Sequence, residues 1–170
     1  MSEFETRYHR MTVTATSPDG EITGTMNNQL RLSVTFVHED AFYDYDGEAL
    51  AHQLGALLRG LDAGRQRGVR AIYTQAGMTV SDSDSPHWDA NERRYHAGLR
   101  ELASLGHSAT GAIEIAAFGT LTGHQVTIDS HHLGDMELRE FLSQLHDAYR
   151  NLIQDFREQQ QQLLERYLPD

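Results

Sequence analysis

Two leucine-rich helical segments, each preceded by strand-like sequence, constrain the fold more than any other feature. The leucines of the first segment recur at spacings of four, three and four residues: Leu50, Leu54, Leu57 and Leu61. The second segment continues a similar spacing through Leu138, Leu142, Leu145, Tyr149, Leu152 and Phe156. Such spacing places one apolar stripe along a helix, and the stripe must be buried against other elements. The sequence therefore predicts an α+β fold with two amphipathic helices.

Strand-like sequence precedes each helix. Residues 11–17 are rich in β-branched side chains and lead into a turn at residues 18–20, where proline presets φ and glycine accepts a positive φ. Apolar and polar side chains alternate in the returning stretch, residues 21–37, as they do in a strand with one buried face. In the second half, residues 112–118 and 121–129 flank a glycine in a similar way. We therefore expect one β-hairpin before each helix.

The two halves are predicted to be divergent copies of one hairpin-plus-helix unit. Alignment of the helices on Leu50 and Leu138 matches the leucines that follow them, and residues 22–24 correspond to residues 121–123. The predicted boundaries are residues 1–76 for the first unit, 77–90 for an acidic linker and 91–170 for the second unit with a long C-terminal helix. The expected architecture is an intrachain pseudo-dimer of the two units.

Glycine is frequent along the first helix. Its four glycines are Gly55, Gly60, Gly64 and Gly68. Each costs a helix roughly 0.5 to 1 kcal/mol relative to alanine. This cost indicates either close packing of the helix against a neighbour or fraying of the helix near Arg65.

Composition narrows the chemistry. The chain has a formal charge of -11 and no cysteine, and all fourteen of its cationic side chains other than histidine are arginine. Cysteine and lysine nucleophiles are thereby excluded, and no phosphate-binding glycine loop, dinucleotide fingerprint or nucleophile elbow occurs. The sequence predicts no catalytic residue, no cofactor and no enzymatic activity. Since cysteine is absent and no apolar stretch follows the N-terminus, the expected location is the cytoplasm.

Two clusters of polar side chains can be interpreted either as metal sites or as solvated loops. The densest cluster comprises Asp129, His131, His132, Asp135 and nearby His124. Adjacent histidines at a strand end point to opposite sides and cannot both reach one ion without a special turn. Residues 82–92 begin like a calcium loop, but proline and histidine stand where a ligand and the turn glycine belong. Solvated loops are the preferred interpretation, and no metal ligand is predicted.

Two surfaces are candidates for binding a macromolecule. Acidic residues interleave with aromatic ones over residues 39–48, and the single tryptophan lies in the linker; the candidate protein contacts are Phe42, Tyr43, Tyr45 and Trp88. Aromatic side chains are typical of protein contacts, although capping and solubility also explain the acids. Arginines crowd the end of the first helix, and the candidate DNA phosphate contacts are Arg59, Arg65, Arg67 and Arg70. The same arginines can oppose the helix dipole, and the net charge counts against nucleic acid.

The second half resembles the YbaB/EbfC family. It presents a helix at residues 91–105 ended by a glycine, a glycine-flanked strand at 111–118, a strand ending in Val-Thr-Ile-Asp at 126–129, and a capped amphipathic helix. The first half, up to the helix capped by Asp46, is similar to the same core and closer to actinobacterial relatives associated with type VII secretion. It lacks the long leading helix, since residues 1–10 are too short for one. These motifs are structural, and none of them contains a side chain whose function in the family can be assigned to this chain.

This resemblance implies a fold and two alternative functions. Members of the family are homodimers with interlocked strands and helices, so a tandem chain implies a dimer collapsed into one polypeptide. The secretion-associated relatives are implicated as accessory factors with secreted-protein partners, whereas nucleoid-associated members bind DNA. We therefore expect a non-enzymatic accessory or chaperone-like protein that binds a protein partner, with nucleoid-type DNA binding as the alternative. Further homo-oligomerisation stays open, and no membrane partner is expected.

Overall fold

The computed structural model describes residues 1–78 and 88–170, so most of the predicted linker lies outside the described residues. The first half contains α1 (Glu3–Arg10), β1 (Thr12–Thr16), β2 (Ile22–Asn27), β3 (Leu32–Phe36), a 3₁₀ segment (Glu39–Asp44) and α2 (Gly47–Gln75). The second half contains α3 (Ala90–Arg100), β4 (Ala103–His107), β5 (Ile113–Phe118), β6 (Thr122–Ile128), a short α4 (Ser130–Gly134) and α5 (Leu138–Tyr167). The strands form two antiparallel sheets, ordered β1-β2-β3 and β4-β5-β6. The predicted α+β class is confirmed.

Each sheet has three strands where the sequence predicts a hairpin of two. In the first half, the predicted strand at residues 21–37 is interrupted by a turn after Asn27. The Asn27 side-chain oxygen accepts hydrogen bonds from the backbone N–H groups of Gln29 and Arg31, both at 3.0 Å, and Leu30 adopts a φ of 63°. Asparagine side chains stabilise turns by bonding the backbone two residues onward. The alternation of residues 21–37 therefore belongs to two strands, β2 and β3.

The helix predicted over residues 91–105 is shorter than expected and is followed by a strand. An Asp89 and Glu92 capping box begins α3, which ends at Arg100. Residues 103–107 then form β4, which pairs with β5. Its alternating burial matches a strand with one buried face. A helix also opens the first half: residues 3–10 form α1, which has only eight residues.

Structural features recur at a spacing of 91 residues. The Ser17 hydroxyl accepts a hydrogen bond from the Ile22 N–H at 3.0 Å, and the Ser108 hydroxyl, 91 residues later, accepts one from the Ile113 N–H at 3.1 Å. Buried residues of the long helices match at the same spacing: Leu50, Leu54, Leu57, Leu58 and Leu61 correspond to Phe141, Leu145, Ala148, Tyr149 and Leu152. The predicted alignment pairs Leu50 with Leu138 instead. Leu138 is only partly buried, at the margin of the core, whereas Phe141, 91 residues after Leu50, is fully buried.

The long helices each pack on both sheets. α2 covers β1 and β2 and also runs along β6, whereas α5 covers β4 and β5 and also reaches β3. Phe42 and Phe141 pack with 5.1 Å between their ring centroids, and the Tyr149 hydroxyl donates to the Met26 sulfur at 3.6 Å. One cluster of buried apolar side chains spans the two halves. The halves therefore share a single core, in which each contributes to the burial of the other.

Three glycines of α2 form the surface that packs against β1. A Cβ added at Gly60 or Gly64 would lie 3.4 or 3.7 Å from side chains of β1, and one at Gly68 would lie 2.6 Å from the Met11 sulfur. Four residues of helix rise about 6 Å and two residues of strand about 6.7 Å, so glycines four apart meet alternate strand residues. Close packing, one of the two predicted explanations, therefore accounts for these glycines.

Polar side chains of α5 cover the open edge of β4. The Asp155 carboxylate accepts a hydrogen bond from the Leu105 N–H at 2.8 Å. Asn151 and Gln159, four residues to either side, donate to backbone carbonyls of the same strand at 2.8 and 3.0 Å. An edge strand whose backbone groups are occupied is protected from pairing with another chain. α5 therefore closes one edge of the second sheet.

Candidate functional site

The 3₁₀ segment Glu39–Asp44 joins the first sheet to α2 and places two predicted aromatic contacts in opposite environments. Phe42 is 2% exposed and packs edge-on against Phe36, with 5.7 Å between ring centroids. Tyr43, the next residue, is 61% exposed. Phe42 is therefore a core anchor rather than a surface contact, and Tyr43 is the aromatic side chain that the segment presents outward.

Tyr45 is held against the turn of the first hairpin. Its hydroxyl donates a short hydrogen bond to the Asp19 carboxylate, which also accepts from the Ser17 hydroxyl at 2.7 Å. Burial raises the pKa of Tyr45, and the hydrogen bond to Asp19 raises it further. Desolvation alone would raise the pKa of Asp19, but the hydrogen bonds it accepts, chiefly from Tyr45, lower it overall. A neutral phenol thus fixes the segment to a charged carboxylate across the turn.

Tyr43 stands at the rim of a small cleft between the two halves. The cleft has a volume of about 150 Å³ and is lined by Phe42, Tyr43, Tyr45, Asp46, Ser130, Leu133, Gly134 and Met136. The Leu138 N–H donates to the Tyr43 hydroxyl at 3.5 Å, a long contact. Leu133 and Met136 are buried, so the base of the cleft is apolar. The cleft can accept a single apolar side chain beside an exposed tyrosine.

Exposed carboxylates flank Tyr43 in the sequence. The exposed acidic residues of the segment and the helix start after it are Glu39, Asp40, Asp44, Asp46 and Glu48. The Asp46 carboxylate accepts from the Ala49 N–H at 2.7 Å and caps α2, as a carboxylate at this position is expected to do. The remaining carboxylates create a negative field around an aromatic ring. We call Tyr43 with Glu39, Asp40 and Asp44 the Tyr43 patch.

Trp88 lies apart from the Tyr43 patch, beside the start of α3. Its half-buried ring stacks on His96 with 3.9 Å between centroids and an interplanar angle of 8°. Arg93 donates to its backbone carbonyl. Trp88 therefore packs onto α3 and does not line the cleft beside Tyr43.

The four predicted arginines do not all face the same way. Arg59, Arg67 and Arg70 are exposed on α2, and Arg59 donates to the His124 carbonyl at 2.7 Å. Arg65 is half-buried and lies 4.0 Å from the carboxylate of Asp62, which is itself buried. Within α2, which the structure describes in full, Asp62 is the sole carboxylate after Glu48. We call the exposed arginines of this helix, Arg59, Arg67 and Arg70, the outer surface of α2; the helix has no exposed acid after Glu48.

His124 is a buried residue whose burial the sequence analysis did not predict. Its ring is 2% exposed, and neither ring nitrogen has a hydrogen-bond partner in the described part of the chain. Burial, together with the positive charges of Arg59 and Arg65, lowers its pKa to about 4. The alternation of His124, Val126 and Ile128 along β6 is the signal that places it inward. His124 is a neutral histidine packed between the halves, near Tyr149.

The cluster around His131 and His132 is a helix start. The Asp129 carboxylate accepts from the backbone N–H of His131 at 2.9 Å and lies 3.1 Å from the His132 Nδ1. In residues 1–78 and 88–170, no group of three or more histidine and acidic side chains could hold a metal ion. Most of the calcium-like loop, residues 82–87, lies outside the described residues.

No helix in the described ranges is both long enough and apolar enough to cross a bilayer.

Comparison of the chain with models of known protein families and with curated proteins found no match. The function is therefore inferred from the chain's own surfaces: the Tyr43 patch and the outer surface of α2.

Proposed function

We propose that the protein is a non-enzymatic accessory or chaperone-like factor that binds a protein partner, with Tyr43 at the centre of the contact. The observation that carries the proposal is the 61% exposure of Tyr43 beside an apolar cleft. Tyrosine is enriched among the residues that dominate binding energy at protein interfaces, where its ring supplies a large contact area. An exposed tyrosine beside an apolar depression has the form of such a contact.

The Tyr43 patch is held on both sides by contacts within the chain. Phe42 anchors the segment in the core, and Tyr45 is bonded to Asp19 on the other side. A contact surface that is already ordered loses less conformational entropy on binding, so more of the contact energy appears as affinity. This favours a binding role for the segment over a role as a solvated connection.

The charge of the Tyr43 patch indicates the partner's chemistry. Glu39, Asp40 and Asp44 are exposed in the same 3₁₀ segment as Tyr43, in a chain with a net charge of -11. Complementary charge speeds association and disfavours incorrect partners. The partner's surface would carry lysine or arginine around one protruding apolar side chain that enters the cleft.

The architecture supports a further part of the proposal, that the chain is a tandem relative of the YbaB/EbfC family. Each half runs helix, three strands, short helix and long helix, and the Ser17 turn recurs at Ser108. Each long helix packs on the sheet of the other half, as in an interlocked dimer. A duplicated unit fused into an intrachain pseudo-dimer explains these features together. On this proposal, the secretion-associated relatives suggest a secreted protein as the partner, met in the cytoplasm.

Photo-crosslinking at position 43 tests the proposed contact. A photoreactive phenylalanine analogue in place of Tyr43, in cells that make the protein naturally, is expected to capture a defined protein that the same probe at Tyr167 does not. With that protein purified, Tyr43→Ala should weaken binding at least about tenfold, since the substitution removes a central aromatic contact. Capture at both positions alike, or equal binding by Tyr43→Ala, would refute the contact.

Nucleoid-type DNA binding is the second candidate, and the outer surface of α2 favours it. Arg59, Arg67 and Arg70 are exposed there, with no exposed carboxylate on the helix after Glu48. Contacts of this kind go to phosphates, carry little base information and weaken steeply with salt. The test is the binding of a labelled DNA duplex across a salt series. Micromolar binding that weakens with salt, and that is lost when the three arginines are replaced by alanine, would favour DNA binding over protein binding as the function.

A further inference from the structure

A second and larger groove lies between β3 and α5, away from the Tyr43 patch. It has a volume of about 710 Å³ and takes residues 29–32 from the first half and side chains between His146 and Glu158 from the second. Leu30, Leu32, Tyr149 and Ile153 line it, and Tyr149 and Ile153 are buried. The groove therefore has an apolar floor between a strand and a helix.

The strand side of the groove is an open sheet edge. β3 is the last strand of its sheet. The Val37 N–H donates to the Glu21 carbonyl at 2.8 Å, so the backbone groups of the odd-numbered residues of β3 face β2. Because backbone groups alternate direction along a strand, those of Leu32 and Val34 point away from β2. The Val34 N–H donates to the His146 Nε2 at 3.2 Å, as this register requires. Both the backbone donor and the backbone acceptor of Leu32 face the edge that borders the groove, and neither has a hydrogen-bond partner within residues 1–78 and 88–170.

The groove is positively charged in an acidic protein. Among the described residues, Arg31, Arg150 and Arg157 line it with a single carboxylate, Glu158. Arg150 is bonded to Asp147, whereas Arg31 and Arg157 are exposed and form no ion pair within the described ranges. A basic groove in a chain of net charge -11 is complementary to an anionic occupant.

We propose that this groove binds an extended acidic peptide segment of a partner protein, which adds a short strand beside Leu32. Main-chain bonds to an exposed sheet edge give affinity to such peptides, and flanking side chains give specificity. Alternate peptide side chains would reach the apolar floor and the arginines, because strand side chains alternate in direction. His146 ends the pairing, since it already occupies the next backbone donor, that of Val34.

This binding site goes beyond the proposed function. It lies on β3 and α5 and uses no side chain of the Tyr43 patch, and its charge is opposite. The open backbone of Leu32 favours a peptide over a small anionic amphiphile, because an amphiphile offers no backbone donor or acceptor in register.

Peptide selection on the purified full chain tests the proposal without knowledge of the partner. A displayed library of random heptapeptides is selected against the wild type and two double variants, Arg31→Glu with Arg157→Glu in the groove and Arg139→Glu with Arg166→Glu elsewhere on α5. The wild type and the Arg139/Arg166 control should enrich peptides with Asp or Glu at alternate positions, whereas the groove variant should not. Both double variants carry the same net charge, so general repulsion is controlled.

A second measurement separates backbone pairing from recognition of charge alone. The best selected peptide, labelled with fluorescein, is titrated with the protein beside versions N-methylated at each residue in turn. At least one methylation should weaken binding at least about tenfold, because it removes a strand donor and blocks the edge. Enrichment without acidic residues, equal binding by the two double variants, or unchanged binding by every methylated peptide would overturn the proposal.

Discussion

Gly106→Ala should destabilise the protein by about 3 kcal/mol or more, because the added methyl group would overlap the backbone of a helix, which cannot move aside as a flexible side chain can. A Cβ at position 106 would lie 2.1 Å from the Ala148 carbonyl oxygen and 2.3 Å from the Leu152 nitrogen. Both atoms belong to the backbone of α5, which packs closely on β4 at this point. The helix must move away from the strand, and the bonds that α5 makes to the edge of β4 must lengthen with it.

Gly134→Ala is the matched control for this substitution. Apart from its chain neighbours and the backbone of its own helix, no atom of the described residues lies within 4 Å of a Cβ at position 134, and its φ is not in the left-handed region. The free energy of unfolding, measured by urea titration with circular dichroism, should change by less than about 1 kcal/mol for the control. Equal stability of Gly106→Ala and the wild type would show that β4 and α5 are not in backbone contact.

Acidification from pH 7 to pH 4 should destabilise the protein by about 3 kcal/mol through His124 alone, since each unit of pKa shift corresponds to about 1.4 kcal/mol. Burial lowers the pKa of His124 to about 4, from an ordinary value of 6.5. Between pH 6.5 and pH 4, the unfolded state therefore binds a proton that the folded state does not bind. The stabilising contribution is complete above pH 6.5, is lost progressively as the pH falls from 6.5 to 4, and changes little below pH 4, where the folded state also binds the proton.

Comparison with His124→Gln isolates this contribution. Glutamine does not titrate, whereas Asp62 and His146, whose pKa values are also shifted, are common to both proteins. The difference in the free energy of unfolding between wild type and His124→Gln should change by about 3 kcal/mol between pH 7 and pH 4. His52→Gln, at an exposed position on α2, should track the wild type at every pH. A constant difference between wild type and His124→Gln would show that His124 is accessible to protons when folded.

The helical stripes and the first turn could be predicted because their signals are local. The spacing of Leu50, Leu54 and Leu57 determines which face of α2 is buried, and all three are at most 1% exposed. Asp46 caps the helix as its position in the sequence indicates. These features depend on residues a few positions apart, so periodicity and capping rules are sufficient.

The elements that were missed depend on contacts distant in sequence. Residues 103–105 have helix-compatible spacing with the residues before them, but they form a strand because Gly106 lets β4 approach α5 and because Asp155 pairs with the Leu105 N–H. Phe42 is buried because Phe141, from the other half, packs on it. Tertiary contacts of this kind override local propensity, and a single sequence does not display them.

The binding surfaces share this dependence on both halves. The cleft beside Tyr43 takes Leu133 and Met136 from the second half, and the groove beside Leu32 takes Tyr149 and its neighbours from α5. Neither surface is complete in one half. The proposed functions therefore require that the two halves fold as one body around the shared core.

Fragment complementation tests this shared core directly. Residues 1–78 and 88–170, produced as separate chains, should each lack a cooperative unfolding transition as a monomer, because α2 and α5 would each lose a sheet they pack on. Mixed together, they should form a one-to-one complex that unfolds in a single transition, measured by analytical ultracentrifugation and thermal circular dichroism. Cooperative unfolding of each isolated fragment as a monomer, with no association on mixing, would contradict a core shared between the halves.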